Sequence, residues 1–579
     1  MLEKINRLTT SQVASILTLT GLASYFDGLK NAFEGDDISQ IVSNLPVHSI
    51  SHIVLLFEGG TFYNGKGLVP LSGAYYRPLM MTIFSLLYTL FGAHSFYFHL
   101  LQLLLCVASS LLLFLLFKHF FSTVLALVLA ILFLIHPIDS QVVFAIPNMQ
   151  DALYFFFGMS ALTLLIRSRS IASLCEMTVC LLLALLAKET AILFVIVGAV
   201  YLIWQDRKRL FAYSTAVVTQ LIVYVLLRTN AVGLFASNPN TAPIDRLSLA
   251  GRLMNDPLIV FIYISRLIFP YKLAINYLWV YRHPSVTHFL LPLVADLITI
   301  CIFILLGYIV KRVAVKEVFQ TYLFFAFWCC IGLALLLQFV PLDSTVMEPW
   351  FYFSMAGVLG MIGVVLVTFQ GKIHPKSFIT IVIILIVCLG TRTALRGTDF
   401  RSSLVLAKAD ITASPENYVA YNQVATIYIN QSKYQTALPY ARKAVAFFPS
   451  FTDYNNLGLI YAHQQNYIAA SNAFYKGLSY GEYVDLYDNI AALTLVYGAP
   501  SVDKAYIIQS LQTFPQDATL WMYLAILEDR NGDNQDAKIS ISNAANYGTI
   551  SAQLYTHIQS GLPFYMYTGR LLNREIYVQ

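Results

Sequence analysis

Apolar stretches close to the roughly 20 residues that a helix needs to cross a bilayer recur from Leu8 to about residue 395. The pattern predicts eleven spans, at about 8–26, 95–117, 121–135, 150–166, 171–187, 190–204, 210–228, 289–310, 319–340, 350–369 and 376–395. The first follows Lys4 and Arg7, runs straight into Tyr25-Phe26-Asp27 without a small-residue cleavage site, and reads as an uncleaved span. Three apolar pieces do not fit as spans. Leu79–Phe91 is short, follows Arg77-Pro78, and reads as a helix lying at the outer surface. Ile138–Pro147 reads similarly, because 138–166 is too long for one straight span and Pro147 breaks it. Pro257–Pro270 is short and carries Arg266. Crossing there would invert every later link, so it is expected to be re-entrant or interfacial.

From about residue 403 the period changes. Tyr418, Tyr421, Val424, Ala425, Tyr428, Ala437, Ala441, Ala444 and Pro449 fit a tetratricopeptide repeat, with small residues where its two helices cross. The skeleton returns 33 residues later at Tyr454, Leu457, Gly458, Tyr461, Ala470, Phe474 and Gly477. Trp521, Leu524, Ala525, Ala537 and Ala544 give a third good copy, and 484–517 a degenerate one with Ala491, Ala505 and Pro515. Stacked units of this kind bury a continuous core and present a concave face. The expected fold is all-α: a polytopic membrane domain over 1–399 with its first external loop at 27–78, about four repeats over 400–550, and a tail over 551–579.

Charge orients the spans. Lys118, Arg167 with Arg169, Arg207-Lys208-Arg209, Lys311-Arg312 with Lys316, and Lys372 with Lys376 occupy every second link. By the positive-inside rule those links and the N-terminus are cytoplasmic. The alternate links, holding Asp36-Asp37, His136-Pro137 with Asp139, Lys188-Glu189, and Asp343 with Glu348, then face out, as do the repeats. The chain is 58% hydrophobic and only 12% charged, against about a quarter charged for soluble domains, which makes it a multi-pass membrane protein. A net charge of +5 over 579 residues suggests no nucleic-acid partner. All seven cysteines lie in apolar segments without metal-ligand spacing and read as small buried hydrophobes.

The outward links collect acids, a histidine and cations at one membrane surface. Ionisable groups at that depth are costly and are functional candidates. Adjacent Asp36 and Asp37 point in different directions in any regular backbone, so only one can aim at a reacting hydroxyl. Arg77, after Tyr75-Tyr76 and before a proline, can fork onto a phosphate or anchor at the interface. His136 ends a span, where a cap and a ligand are both open readings. Asp151 starts a span and has the helix dipole as an alternative explanation. Lys188 and Glu189 are able to pair with each other and do nothing more. No Gly-rich phosphate loop, Ser-His-Asp arrangement or zinc spacing stands out, so a substrate carried in the lipid fits better than a nucleotide.

Several motifs stand together: Asp36-Asp37 with Asn44, Tyr76-Arg77-Pro78-Leu79, His136-Pro137, Gln150-Asp151-Ala152-Leu153, Ala187-Lys188-Glu189, Arg266 to Pro270 with Leu273, and Glu348-Pro349-Trp350-Phe351-Tyr352. With the repeats behind them, the chain resembles the transmembrane and tetratricopeptide-repeat O-mannosyltransferases, within the GT-C glycosyltransferases. Two departures stand out. Asp139-Ser140-Gln141 replaces a glutamate after His-Pro, and Pro349 replaces an arginine. The resemblance implies a sugar donor on polyprenyl phosphate, a protein Ser or Thr hydroxyl as acceptor, and an acid of the first external loop as general base, Asp36 first and Asp37 second. It implies substrate binding by Tyr76, Arg77, His136, Asp151, Lys188, Glu189 and Arg266, with the cations facing the leaving phosphate. No cofactor is demanded, and a divalent metal stays open. Partners are then the donor, membrane lipid, and a protein or peptide on the repeats. The membrane is the plasma or inner membrane of a bacterium or the endoplasmic reticulum of a eukaryote. A lipid-linked or cell-wall glycan acceptor is one alternative; a non-catalytic scaffold or transporter is another.

Overall fold

The structure is a computed structural model that describes residues 8–61, 75–233, 242–372, 374–497 and 504–561. Part of the first external loop and the end of the expected tail lie outside the described residues. The described residues up to Pro415 form one compact unit and those from Glu416 a second.

Among its described residues the regular structure of the first unit is helical, apart from one two-residue antiparallel pairing of Asn276 with Met347 and Tyr277 with Val346. Every predicted span overlaps a helix. Among the described residues seven helical stretches are long and apolar enough to cross a membrane alone: Ser95–Phe120, Ile146–Arg167, Arg207–Val232, Val286–Val313, Lys316–Ala334, Glu348–Lys372 and Pro375–Arg401. An eighth is Thr123–Ile135 with Pro137–Phe144, bent by 46°. Thr10–Tyr25, Ile171–Ala187 and Ile192–Gln205 have 16, 17 and 14 residues. At 1.5 Å per residue they reach about 21–26 Å, short of a hydrocarbon core of about 30 Å.

One predicted span is misplaced. The sequence suggests 319–340, but the helix runs Lys316–Ala334. The apolar residues after it belong to a loop held by the buried Gln338 amide, which donates to the carbonyls of Ser344 and Thr345 at 3.3 Å and accepts from the Leu342 amide at 3.1 Å. The Arg252 guanidinium adds bonds to the carbonyls of Gln338 and Phe339.

Pro137 cannot donate to the helix before it, so Thr123–Ile135 ends with carbonyls in need of partners. Tyr25 Oη donates to Leu134 O at 2.8 Å and Thr393 Oγ1 to Ile135 O at 2.6 Å. Two other helices thereby lock the bend. The short pieces Pro78–Phe91 and Asp256–Ile268 are helices of 14 and 13 residues, about 20 Å each, again short of the hydrocarbon core. Tyr263 Oη ties the second to Met347 O at 2.9 Å.

Among its described residues the second unit contains four helix pairs: Tyr418–Asn430 with Tyr434–Phe447, Phe451–His463 with Tyr467–Leu478, Val484–Tyr497 with Lys504–Thr513, and Ala518–Asn531 with Asn534–Tyr547. Ala425, Ala437, Ala441, Ala444, Ala470, Ala525, Ala537 and Ala544 are fully buried where the helices cross. A Cβ on Gly458 would lie 2.3 Å from Phe474 Cε1, so only glycine permits that crossing. Ser432, Gln465 and Gly532 all take left-handed φ at the turn between paired helices, which shows the shared register. Asn456 Nδ2 donates to Asn422 Oδ1 at 2.5 Å and Asn489 Nδ2 to Asn455 Oδ1 at 2.8 Å, tying successive repeats together. The expected tail begins with a further helix, Ala552–Ser560, whose Leu554 and Ile558 join the core.

Candidate active site

The Asp36-Asp37 loop is shaped by its own backbone. Gly35 sits at φ +57, a left-handed position that glycine adopts without a steric cost. Asp37 Oδ2 accepts from the Glu34 amide at 3.0 Å and closes the turn. Residues 38–42 then form a single wide turn, with Ser43 N bonded to Ile38 O at 2.7 Å. His48 Nε2 meets the carbonyls of Ile41 and Val42 at 2.9 and 3.1 Å, and its ring stacks on Tyr88 at 4.0 Å. The loop is thereby held against the helix Pro78–Phe91.

This geometry separates the two acids. Asp37 is 4% exposed, and its Oδ1 has no hydrogen-bond partner. Burial pushes its carboxyl up to about 8, with Glu34's amide opposing and Asp36 adding to the rise. Asp36 is exposed. Its carboxyl is nevertheless raised above the usual range, by desolvation first, with Arg77 pulling it back and Asp343 adding to it. The carboxylate is thus open to solvent on one side and desolvated by the protein around it.

Arg77 links Asp36 to the rest of the group. Its guanidinium lies 4.3 Å from the centre of the Tyr75 ring, and its Nε is buried with no hydrogen-bond partner. Tyr75 Oη donates to Asp343. Burial and the Asp343 charge raise the Tyr75 phenol. Tyr76 is fully buried against Tyr224, and burial pushes its phenol up to about 12. Lys188 Nζ donates to Asp151 Oδ1 at 2.6 Å, with side chains only 8% and 1% exposed, and lies 5.8 Å from the Tyr154 ring centre. The lysine therefore pairs with an acid on another helix and not with its neighbour. Glu189 stands instead in the field of Arg77, Lys188 and Arg228. Asp36, Asp151, Glu189 and Asp343 thus share one electrostatic group with Arg77, Lys188 and Arg228.

His136 and Arg266 belong to a second group. His136 caps the turn Pro137–Asp139: Nδ1 accepts from the Ile138 amide at 3.3 Å, which leaves Nε2 to donate to Leu267 O at 3.0 Å. Both ring nitrogens are committed. Arg266 Nε faces Tyr277 Oη at 3.4 Å, and Tyr277 Oη donates to Glu348 Oε1 at 2.8 Å. Glu348 Oε1 also accepts from the Ala274 amide at 2.8 Å. Arg396 is buried, pairs with Asp399 at 2.8 Å, and keeps Nε and Nη2 without hydrogen-bond partners. Asp410 Oδ1 accepts from the Ile275 amide at 3.0 Å. Burial first, with Arg396 opposing, leaves its carboxyl at about 7. Among the described residues no three or more His, Cys, Asp or Glu side chains are grouped to hold a metal ion.

Sequence reasoning passed over Arg228, Tyr224 and Arg396. The available signal was an arginine at the end of an apolar run, where an ionisable group calls for a partner or a ligand.

The comparisons with known proteins cover this region. The family described as Dolichyl-phosphate-mannose-protein mannosyltransferase matches residues 76–232, which include Tyr76, Arg77, His136, Asp151, Lys188, Glu189 and Arg228 but not Asp36 or Asp37. Protein O-mannosyl-transferase TMTC1 of Mus musculus is 32% identical over 149 residues, 25% of this chain and 16% of that protein. Protein O-mannosyl-transferase TMTC3 of Homo sapiens is 25% identical over 168 residues, 29% of this chain and 18% of that protein. The chain therefore covers less than a fifth of these curated relatives' length. A solved structure described as YrrB, a TPR protein with an unusual peptide-binding site, covers 27% of this chain and 84% of its own at 17% identity, with a TM-score of 0.24. Over residues 76–232 the chain is similar to protein mannosyltransferases, in a multi-pass membrane unit followed by tetratricopeptide-type helix pairs.

Proposed function

We propose that this protein is a GT-C-type membrane glycosyltransferase that moves a sugar from a polyprenyl-phosphate donor to a Ser or Thr hydroxyl of a protein on the extracytoplasmic side. The observation that carries the reading is the exposed acid Asp36, electrostatically coupled to Arg77 in a group of cations and acids of which Asp151 and Lys188 are buried. The similarity to protein mannosyltransferases over 76–232 supports the same chemistry.

In the reaction Asp36 accepts the proton of the acceptor hydroxyl as its oxygen bonds the anomeric carbon. The bond from that carbon to the phosphate oxygen breaks, and the phosphate leaves with the electron pair. A raised carboxyl is a stronger base than an ordinary aspartate, and an exposed one is reachable by an acceptor. Arg77, with its unpartnered Nε, bears on the leaving phosphate. The Asp151–Lys188 pair fixes a second cation beside Glu189. Asp37 is a poor base in its buried place and serves the turn that aims Asp36. Arg266 and His136 act at one remove, through the loops around Leu267 and Tyr277. The repeats receive the protein acceptor.

Purified protein incubated with a panel of polyprenyl-phosphate sugars and a Ser/Thr-rich peptide tests the reading. Sugar transfer, or slow donor hydrolysis without peptide, is expected for one donor. If every donor stays intact with folded protein, the enzyme reading fails.

A further inference from the structure

The helices Ser95–Phe120 and Met149–Arg167 pack side by side. Asp151 lies at one end of the second helix and Arg167 at the other, about 24 Å apart at 1.5 Å per residue. At the Arg167 end the two helices part around a cleft of about 230 Å³. Its apolar lining comes from Leu115, Leu116 and Ile166, and its polar lining includes Lys118, His119 and Arg167. Arg167 stands close enough to His119 to act on it electrostatically. The neighbouring cations are accounted for. Arg169 pairs with Asp206 at 3.5 Å, and Arg209 donates to the carbonyls of Leu165 and Ser168 at 2.9 Å. Among the described residues Lys118 and Arg167 pair with no acid.

We propose that this cleft binds the phosphate-bearing headgroup of an anionic glycerophospholipid, in the leaflet opposite Asp36. A cleft that is apolar along its wall and cationic at its rim matches an amphiphile, with an acyl chain on the leucines and a phosphate between the ammonium and the guanidinium. A free anion would use the rim and leave the apolar wall wet. Charge complementarity selects an anionic lipid over a zwitterionic one, whose choline repels the same cations. The charge alternation that assigns Lys118 and Arg167 to cytoplasmic links also places the cleft where anionic lipids concentrate.

Native mass spectrometry of the full chain in detergent tests this, with dioleoylphosphatidylglycerol, dioleoylphosphatidylcholine and inorganic phosphate as probes. Phosphatidylglycerol is expected to bind saturably and in preference to phosphatidylcholine. Each cation removed should weaken that binding by about fivefold, so Lys118→Gln/Arg167→Gln together lose about 25-fold. Lys311→Gln/Arg312→Gln removes the same charge from another link and should leave binding unchanged. Arg167→Gln alone, a single exposed substitution, gives the fivefold reading should the double variant fold poorly. Equal retention of the two lipids, an equal loss in the Lys311/Arg312 control, or binding of inorganic phosphate without the lipid would each overturn the assignment.

Discussion

The Asp151–Lys188 pair offers a sharp test of the packing that builds the site. Lys188→Met keeps most of the side-chain length and apolar stem but removes the ammonium. Asp151, 1% exposed and bonded to Lys188 Nζ at 2.6 Å, is then a buried carboxylate without its cation. Breaking one partner of such a pair costs about 3–5 kcal/mol. Asp151→Asn is expected to cost less, because the ammonium keeps the Tyr154 ring 5.8 Å away and the asparagine oxygen can still accept a hydrogen bond. The double variant removes both charges at nearly constant volume and should return to within about 1 kcal/mol of the wild type or exceed it. Thermal unfolding of the purified protein, arranged as a double-mutant cycle, measures the coupling. Lys188→Met melting with the wild type, or a double variant as unstable as the sum of the singles, would refute the pairing. Donor binding separates structure from chemistry: if Lys188 also bears on the phosphate, the double variant folds yet binds donor weakly.

Three further outcomes follow from the same geometry. Gly458→Leu should destabilise the repeat unit by about 1–3 kcal/mol or more, because even its Cβ overlaps Phe474, whereas Gln435→Leu on the exposed face should do little; equal melting would count against the register. Asp37 has a folded pKa of about 8, above its unfolded value near 4, so the stability tied to its protonated form is complete below about pH 4 and lost as pH rises to 8. Asp37→Asn should therefore gain stability over the wild type between pH 4 and 8, and a pH-independent difference would contradict its burial. Impermeant thiol labelling of cysteines placed at Ser43 and Asn534, both exposed, should modify both in intact cells if the proposed topology holds, and labelling of only one would break it.

The helical class and the repeats were legible because their signals are periodic. Ala437 and Ala470 announce a helix crossing by position alone, and the structure buries both completely. The limits of the membrane helices were less so. Residues 335–340 are as apolar as the span before them, and only the hydrogen bonds of Gln338 show that they form a loop. The composition shift near residue 400 likewise precedes the boundary between the units, since the helix Ser403–Ala413 stays with the first unit through Ser403 on Glu34 and Asp410 on Ile275. At the candidate site, residue types were readable but partners were not. Lys188 and Glu189 are neighbours in sequence, yet the lysine's acid lies 37 residues earlier, on a helix that packing alone brings near. That Asp36 is exposed while Asp37 is buried depends on the turn at Gly35 and the His48–Tyr88 stack, both of which need the folded loop.

The central claim is that Asp36 is the general base, and turnover by Asp36→Asn tests it most directly. The substitution keeps size and most hydrogen bonding but removes the proton acceptor. With a donor that the wild type consumes, turnover should fall by about 10²–10⁴-fold while donor affinity changes little, since the proposal assigns the phosphate to the cations and not to Asp36. Asp37→Asn should lose far less, and Arg77→Ala should chiefly weaken donor binding. An Asp36→Asn protein that is folded, binds donor and turns over at near the wild-type rate would remove Asp36 as the base.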